Sequence, residues 1–281
     1  MVTFEGEANG LLDGGQLAAR EAVREVVASG FRPLDGLLPA GGVRRGSLIE
    51  WLAGGSGPVG GMAGAGAMSL ACAVACRLGR AAAEPGTIVV VDRTGWFHPP
   101  ALLPWLGCGP DAARLVVVRP AHDADEIWAI DQALRCVGVA AVLAWPRTAA
   151  SPGGALIAGR RCAAQSWTIA MRRWQLAARS SGAVGLFVRP AAARGEASWA
   201  EARIAVAALP GGVLLERRLR LTRVGGVWTG KADDAAPAAD VVLDLARGTA
   251  GTVRQTIAAG TARGFAAGRE SVPREATCRA S

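Results

Sequence analysis

One glycine-rich run in this sequence has the composition of a phosphate-binding loop. It lies between a predicted strand, "SLIEWL" at 47–52, and a predicted helix at about 67–80. A loop in this position can wrap its backbone amides around the phosphates of a nucleotide, and the working motif reads GxxxxGK[ST]. The candidate residues, which include a serine near the helix start, are Gly54, Gly55, Gly57, Gly60, Gly61 and Ser69.

The cation that this motif requires is missing. The motif's lysine neutralises the β- and γ-phosphates, but the only lysine of the chain is Lys231. No arginine between Arg45 and Arg77 replaces it. Ser69 alone recruits no metal, so the loop is degenerate in its chemistry.

Two carboxylates of a phosphoryl-transfer site are also missing. The segment "VVVDRTGWFHPP" supplies Asp92, but Thr94 stands where a water-activating glutamate is expected. The strand "VAAVLAWPRT" ends in Trp145 where a magnesium-binding aspartate is expected. Because three independent parts are absent, the sequence predicts a protein that neither hydrolyses ATP nor binds it tightly, with no cofactor and no catalytic residue.

A metal centre is not predicted either. The six cysteines are scattered without a CxxC pair, and His98 and His122 are the only histidines. We expect reduced cysteines and structural histidines. The acids Asp123, Asp125 and Glu126 stand at a helix start, where the helix dipole favours carboxylates without a metal.

Short β-branched runs alternate with helical patterns and define the elements that would position this loop. The predicted strands are 47–52, 87–92, 114–120, 139–145 and 183–190, and the predicted helices are about 67–80, 99–107, 123–136 and 166–180. Near-continuous apolar strands separated by helices predict an α/β fold with a parallel sheet covered on both faces.

The alternation of predicted strands and helices stops after residue 200. Predicted strands follow one another with little helix between them, at 202–209, 215–224, 239–246 and 251–258. They are expected to add antiparallel strands at one edge of the sheet, with a hairpin turn at 246–251.

Four segments, in order, resemble a known family. The segment "SGFRPLDGLLPAGGVRRGSLIEWLAG" (29–54) resembles the lead into the nucleotide loop of the RecA recombinase, and more closely the bacterial ImuA family. The match continues at 89–102, 114–146 and 167–190. It covers about 29–258 and implies a RecA-like domain with a degenerate loop, in which "PVGGMAGAGA" resembles an insertion. A leader with a helix (1–28) and a flexible basic tail (259–281) would flank it.

The resemblance also implies a role. ImuA proteins are RecA-like partners in inducible mutagenesis, so the expected function is that of a non-catalytic adaptor in the DNA damage (SOS) response. It would support error-prone translesion synthesis with the polymerase-like ImuB and an error-prone replicative-type DNA polymerase, and RecA is a further candidate partner. Two alternatives stay open: a DNA-dependent ATPase, which the missing lysine opposes, and a SulA-like cell-division inhibitor.

Arginines dominate a stretch of the chain that lacks acids. Between Asp131 and Glu196 there is no acidic residue, and tryptophans are interleaved with the arginines. Such a surface can hold the backbone of single-stranded DNA and stack its bases. The alternative is that Trp167 and Trp174 pack into the core and that the arginines are solvated. The DNA-binding candidates are Arg160, Arg161, Arg172, Arg173 and Arg179.

The ends of the chain are candidates for partner binding. Residues 16–28 have the pattern of a short amphipathic helix, whose apolar stripe is Leu17, Val23, Val26 and Val27. The stripe could enter a groove on a partner or cap the protein's own core. The polar tail 259–281 could order on an acidic surface.

Composition sets the remaining bounds. The chain has 281 residues and a net charge of +8. No apolar run of about 18 residues is present, so no membrane span is predicted. The acidic N-terminus lacks an apolar signal core, which favours a cytoplasmic protein.

Overall fold

A computed structural model describes residues 24–54, 66–81, 85–146, 160–211, 214–226 and 236–251, with side chains on the last helix from Trp167 onward. In these residues the strands are β1 (Val26–Val27), β2 (Val43–Arg44), β3 (Leu48–Ala53), β4 (Thr87–Val91), β5 (Arg114–Val118), β6 (Val139–Ala144), β7 (Val184–Pro190), β8 (Ala202–Leu209), β9 (Glu216–Gly225), β10 (Ala238–Asp244) and β11 (Thr249–Ala250). The helices are α1 (Arg32–Asp35), α2 (Ala67–Arg80), α3 (Leu103–Leu106), α4 (Asp123–Arg135) and α5 (Arg160–Ser181), with 3-10 turns at Pro99–Leu102, Gly109–Asp111 and Ala191–Gly195.

In the described residues, nine strands form one sheet in the order β11-β10-β9-β8-β3-β7-β6-β4-β5. The six strands from β8 to β5 in this order run parallel to their neighbours. Strands β9, β10 and β11 continue the sheet in antiparallel pairs. The predicted α/β class, its parallel sheet and its antiparallel edge are therefore confirmed.

Strand β8 departs from the prediction. The sequence places it among the antiparallel additions, but it pairs in parallel with β3, from Ile49↔Ala202 to Ala53↔Val206. The reason is the connection 191–201, which returns the chain past β3 instead of closing a hairpin. Residues of this connection pack on the α5 side of the sheet, where Trp199 lies under the guanidinium of Arg172.

Alternate residues of the parallel strands enter two cores. Ile88 and Val90 of β4 pack with α2 on one face, while Val89 and Val91 pack with α4 and α5 on the other. Because both faces are covered, the central parallel strands are mostly apolar, and Glu50 of β3 and Arg189 of β7 are exceptions that pair with each other. The hydrophobic effect of both layers holds the strand ends, and the loops that follow them, in fixed positions.

The antiparallel strands curl over the α2 side of the sheet. Leu219 of β9 lies against Gly66, which directly precedes α2 in a left-handed conformation (φ 78°). A Cβ on Gly66 would lie 2.4 Å from Leu219 Cδ2, so only glycine fits. At the β10–β11 turn, the indole N–H of Trp105 donates to the Leu245 carbonyl (2.9 Å). The end of the chain's last described hairpin thus meets α3.

The predicted N-terminal helix is wrong over its last residues. Val26 and Val27 form β1, which pairs with β2, and their side chains differ in exposure, 43% for Val26 against 6% for Val27. Adjacent residues of a strand point to opposite sides, so the two valines cannot share an apolar stripe. Leu17, Val23, the predicted strand beyond residue 251 and the tail 259–281 lie outside the described residues.

A buried ion network joins the centre of the sheet. Glu50 of β3 accepts from Arg189 (2.8 Å) and from Arg203 (2.6 Å), and its side chain is fully buried. Arg189 also pairs with Glu196 and stacks on the ring of Trp167. Arg203 donates in addition to three backbone carbonyls of the connection that follows β7. The network therefore fixes this connection against β3 and β8.

We predict that Glu50→Ala destabilises the fold by about 3–5 kcal/mol, because it leaves the buried guanidinium of Arg203 without a carboxylate and removes one of the two carboxylates that pair with Arg189. The free energy of unfolding is measured by urea denaturation. Asp240→Ala, which breaks the exposed Arg220–Asp240 pair, is the matched control and should leave the denaturation midpoint almost unchanged. Equal midpoints for the two variants would contradict the central role of the network.

Candidate functional site

A cavity of about 460 Å³ opens at the carboxyl ends of β4 and β6, beside the start of α2. This edge of a parallel sheet is where ligands of open α/β folds bind. Five parts of the chain build its described wall. The residues are Met68, Ser69 and Cys72 of α2, Trp96, Phe97 and His98 after β4, Ala101, Leu102 and Trp105 of the 3-10 turn and α3, and Trp145 and Leu245 after β6 and β10.

The carboxylate of Asp92 shapes the loop after β4. It is fully buried and accepts hydrogen bonds from the backbone N–H groups of Trp96 (3.2 Å) and Phe97 (2.9 Å). The Thr94 hydroxyl donates to the same carboxylate (3.1 Å), and Arg119 lies 3.6 Å away. Asp92 is therefore occupied in folding a tight loop that presents Trp96 and Phe97 to the cavity.

The two positions at which the sequence lacks its expected carboxylates lie in direct contact. The indole N–H of Trp145 donates to the hydroxyl of Thr94 (2.9 Å), which in turn donates to Asp92. The ring of Phe97 packs against Trp145 with centroids 6.2 Å apart. The two positions singled out in the sequence are therefore neighbours in the structure. A hydroxyl and the rings of Trp145 and Phe97 stand where the two carboxylates are expected.

The described wall of this cavity carries no arginine, lysine, aspartate or glutamate. Burial raises the pKa of the Cys72 thiol far above its ordinary range, so the thiol stays protonated at neutral pH. Two arginines beside the loop after β4 are paired with acids: Arg93 pairs with Asp123 (2.8 Å), and Arg119 pairs with Asp92 and donates to the Phe97 carbonyl. A bound phosphate would therefore find no arginine or lysine among the described residues of this wall.

The degenerate loop is described only at its ends. Gly54 follows β3, and its N–H donates to the carbonyl of Val206 (3.0 Å). Ser69 lies in the first turn of α2 and lines the cavity, as expected from its place near the helix start. Gly55, Gly57, Gly60 and Gly61 lie outside the described residues.

Three of the DNA-binding candidates have described side chains, and each makes different contacts. Arg172 stacks on Trp199 (4.4 Å to the ring centroid) and bonds Gln175, while Arg173 pairs with Asp131 (3.2 Å). Arg179, seven residues on, lines clefts at the opposite, amino edge of the sheet together with Arg24. The side chains of Arg160 and Arg161 lie outside the described residues.

In the structure, acidic residues from outside the acid-free stretch 132–195 pair with arginines inside it. Asp131 neutralises Arg173, and Glu50 and Glu196 hold Arg189 at zero exposure in the core. Trp167 and Trp174 are buried and meet edge to face, with centroids 5.4 Å apart. The alternative in which these two tryptophans belong to the core is therefore correct.

Sequence reasoning missed the aromatic wall as a site. Its local signal is the run "GWFHPPALLPW" at 95–105, which concentrates Trp96, Phe97 and Trp105 between two strands. The contribution of Leu245 had no local signal, because it reaches Trp105 across 140 positions of sequence.

The described residues lack two further features. In this part of the chain, no group of three or more histidine, cysteine or acidic side chains is placed to hold a metal ion. No helix in the described ranges is both long and apolar enough to cross a membrane.

The chain was compared with known proteins by family and by sequence. No protein-family model matches it, and no curated protein matches it.

Replacing Asp92 tests whether this carboxylate builds the cavity wall. We predict that Asp92→Asn costs about 1–3 kcal/mol of stability, because its amide N–H₂ must face a backbone N–H that now lacks an acceptor. Tryptophan emission should shift as Trp96 and Trp145 gain solvent contact. Urea denaturation and fluorescence measure the two effects.

Asp111→Asn, an exposed acid in a 3-10 turn, is the control and should change neither quantity. An Asp92→Asn protein with native stability and native emission would show that the loop is held by other contacts.

Proposed function

We propose that this chain is a RecA-like, non-catalytic adaptor of the DNA damage response that works in the cytoplasm. Its partners in this proposal are a polymerase-like protein of the ImuB type and an error-prone replicative-type DNA polymerase. Together they would carry out translesion synthesis. The resemblance to the ImuA family over 29–258 motivates the partners, and RecA is a further candidate.

The observation that supports a non-catalytic role is the apolar wall at the carboxyl edge of the sheet. Phosphoryl transfer needs a cation for the phosphates, a metal ligand and a group that orients the attacking nucleophile. Here the Trp145 indole N–H is hydrogen-bonded to the Thr94 hydroxyl, and the Asp92 carboxylate accepts hydrogen bonds from the backbone of its own loop. The geometry favours binding over chemistry.

Two other functions would leave different signatures. A DNA-dependent ATPase would release phosphate when single-stranded DNA is added. A SulA-like inhibitor would bind the tubulin-like division protein and would not bind the polymerases. The adaptor proposal expects neither result.

We predict no DNA-stimulated ATP hydrolysis and no binding of Mg-ATP at millimolar concentration. Phosphate release is assayed with single-stranded DNA, with the RecA recombinase as the positive control, and nucleotide binding by calorimetry. Turnover that disappears in a Ser69→Ala variant would place a working nucleotide site at α2 and would refute the non-catalytic role.

We also predict a stable complex with a polymerase-like partner of the ImuB type. Purified components are mixed and separated by size-exclusion chromatography, with the tubulin-like division protein as the competing candidate. In cells, deletion of the gene should lower damage-induced mutation while leaving growth without damage unchanged. A protein that binds only the division protein, or whose deletion leaves mutation rates unchanged, would refute the adaptor role.

A further inference from the structure

We propose that the aromatic cavity receives an uncharged aromatic side chain, tryptophan or phenylalanine, from a segment of a partner protein. This inference deepens the adaptor proposal, because it names the contact through which a partner would be held. It rests on that proposal for the existence of a protein partner, and on the cavity alone for the chemistry of the contact.

The wall is suited to a ring. Trp96, Phe97, Trp105 and Trp145 all line the same space. Aromatic rings that meet edge to face or offset attract each other beyond the contribution of the area that they bury. The volume of about 460 Å³ falls in the range of about 300–1,000 Å³ typical of ligand pockets.

The wall is also held in place before any ligand arrives. The indole N–H of Trp105 is bonded to the Leu245 carbonyl, and that of Trp145 to Thr94. Asp92 fixes the backbone of the loop that carries Phe97. Because these side chains are already ordered, binding costs little further conformational entropy.

Charge selects against nucleotides and DNA. The described wall has no arginine, lysine or acidic side chain, and Arg93 and Arg119 beside it are paired with acids. A nucleobase entering the cavity would bring its phosphate to a wall whose described residues include neither arginine nor lysine, and His98 is the one titratable base among them. An aromatic side chain of a protein brings no charge, so it satisfies this surface better.

The apolar surface continues past the opening, which favours a peptide over an isolated small molecule. Trp96 lines the cavity and is still 55% exposed, and Leu103, next to the lining residue Leu102, is 60% exposed. An occupant that covers both must extend beyond one ring. A chain segment with an apolar residue beside its aromatic residue has this shape.

The probe for the experiment is the peptide acetyl-Gly-Leu-Trp-Gly-amide, and the same peptide with alanine in place of tryptophan is its control. Binding to the full chain is measured by calorimetry and by saturation-transfer NMR. We expect the tryptophan peptide to bind at least about tenfold more tightly than the alanine peptide.

Two pairs of protein variants locate the site. Ala101→Trp fills the cavity from an exposed lining position and should abolish binding, whereas Ala124→Trp, on the exposed side of α4, should not affect it. Trp96→Ala should weaken binding about two- to tenfold through lost ring contact. Trp128→Ala removes an equally exposed tryptophan outside the cavity and should leave binding unchanged.

Three results would overturn the proposal: no difference between the two peptides, tryptophan-peptide binding that Ala101→Trp leaves intact, or Mg-ATP or oligo-dT binding that Ala101→Trp abolishes. The adaptor role is judged separately. If the peptide fails but the polymerase-like partner binds, this inference falls and the function stands. If the peptide binds as expected but the polymerase-like partner does not, the adaptor role falls, and the preference of the cavity for an aromatic side chain stands.

Discussion

The buried carboxylate of Asp92 is the constraint on which the site depends. A buried charge is tolerated only when it is paired or hydrogen-bonded, and Asp92 meets this demand with two N–H groups of its own loop, the Thr94 hydroxyl and Arg119. The same bonds that satisfy the charge turn the loop so that Phe97 faces the cavity. An acid at the end of a strand can bind a metal ion, but the carboxylate of Asp92 instead accepts hydrogen bonds from the backbone of its own loop.

The second support of the cavity wall comes from the antiparallel strands β9 to β11. The antiparallel strands curl until Leu219 meets Gly66 and the β10–β11 turn meets Trp105. Gly248 in that turn has φ 63°, and a Cβ there would lie 2.4 Å from Trp105 Cγ. Glycine is thus required both for the turn and for the approach of the indole. The edge strands are part of the site, although they lie far from it in the strand order.

The sequence predicts well what depends on local patterns. The strands from β3 to β7 and the helix α2 follow from largely apolar runs and helical spacing. That phosphate chemistry is lost stays a prediction, and it rests on the absent lysine and on Thr94 and Trp145. Pairing is different: the parallel register of β8, the partners of Arg173 and Arg189, and the wall formed by Trp105 with Leu245 depend on distant residues. The helical spacing of the apolar residues at 16–28 predicts a helix through Val26 and Val27, but these two β-branched residues favour a strand, and they pair with β2.

The central claim is that the carboxyl edge of this sheet binds rings and not phosphates. A crystal structure of the full chain, grown with both Mg-ATP and the tryptophan peptide, tests it most directly. The account predicts an indole between Trp96 and Trp145, with no triphosphate at the first turn of α2. A triphosphate bound there, with magnesium near Ser69 and the aromatic cavity empty, would contradict it.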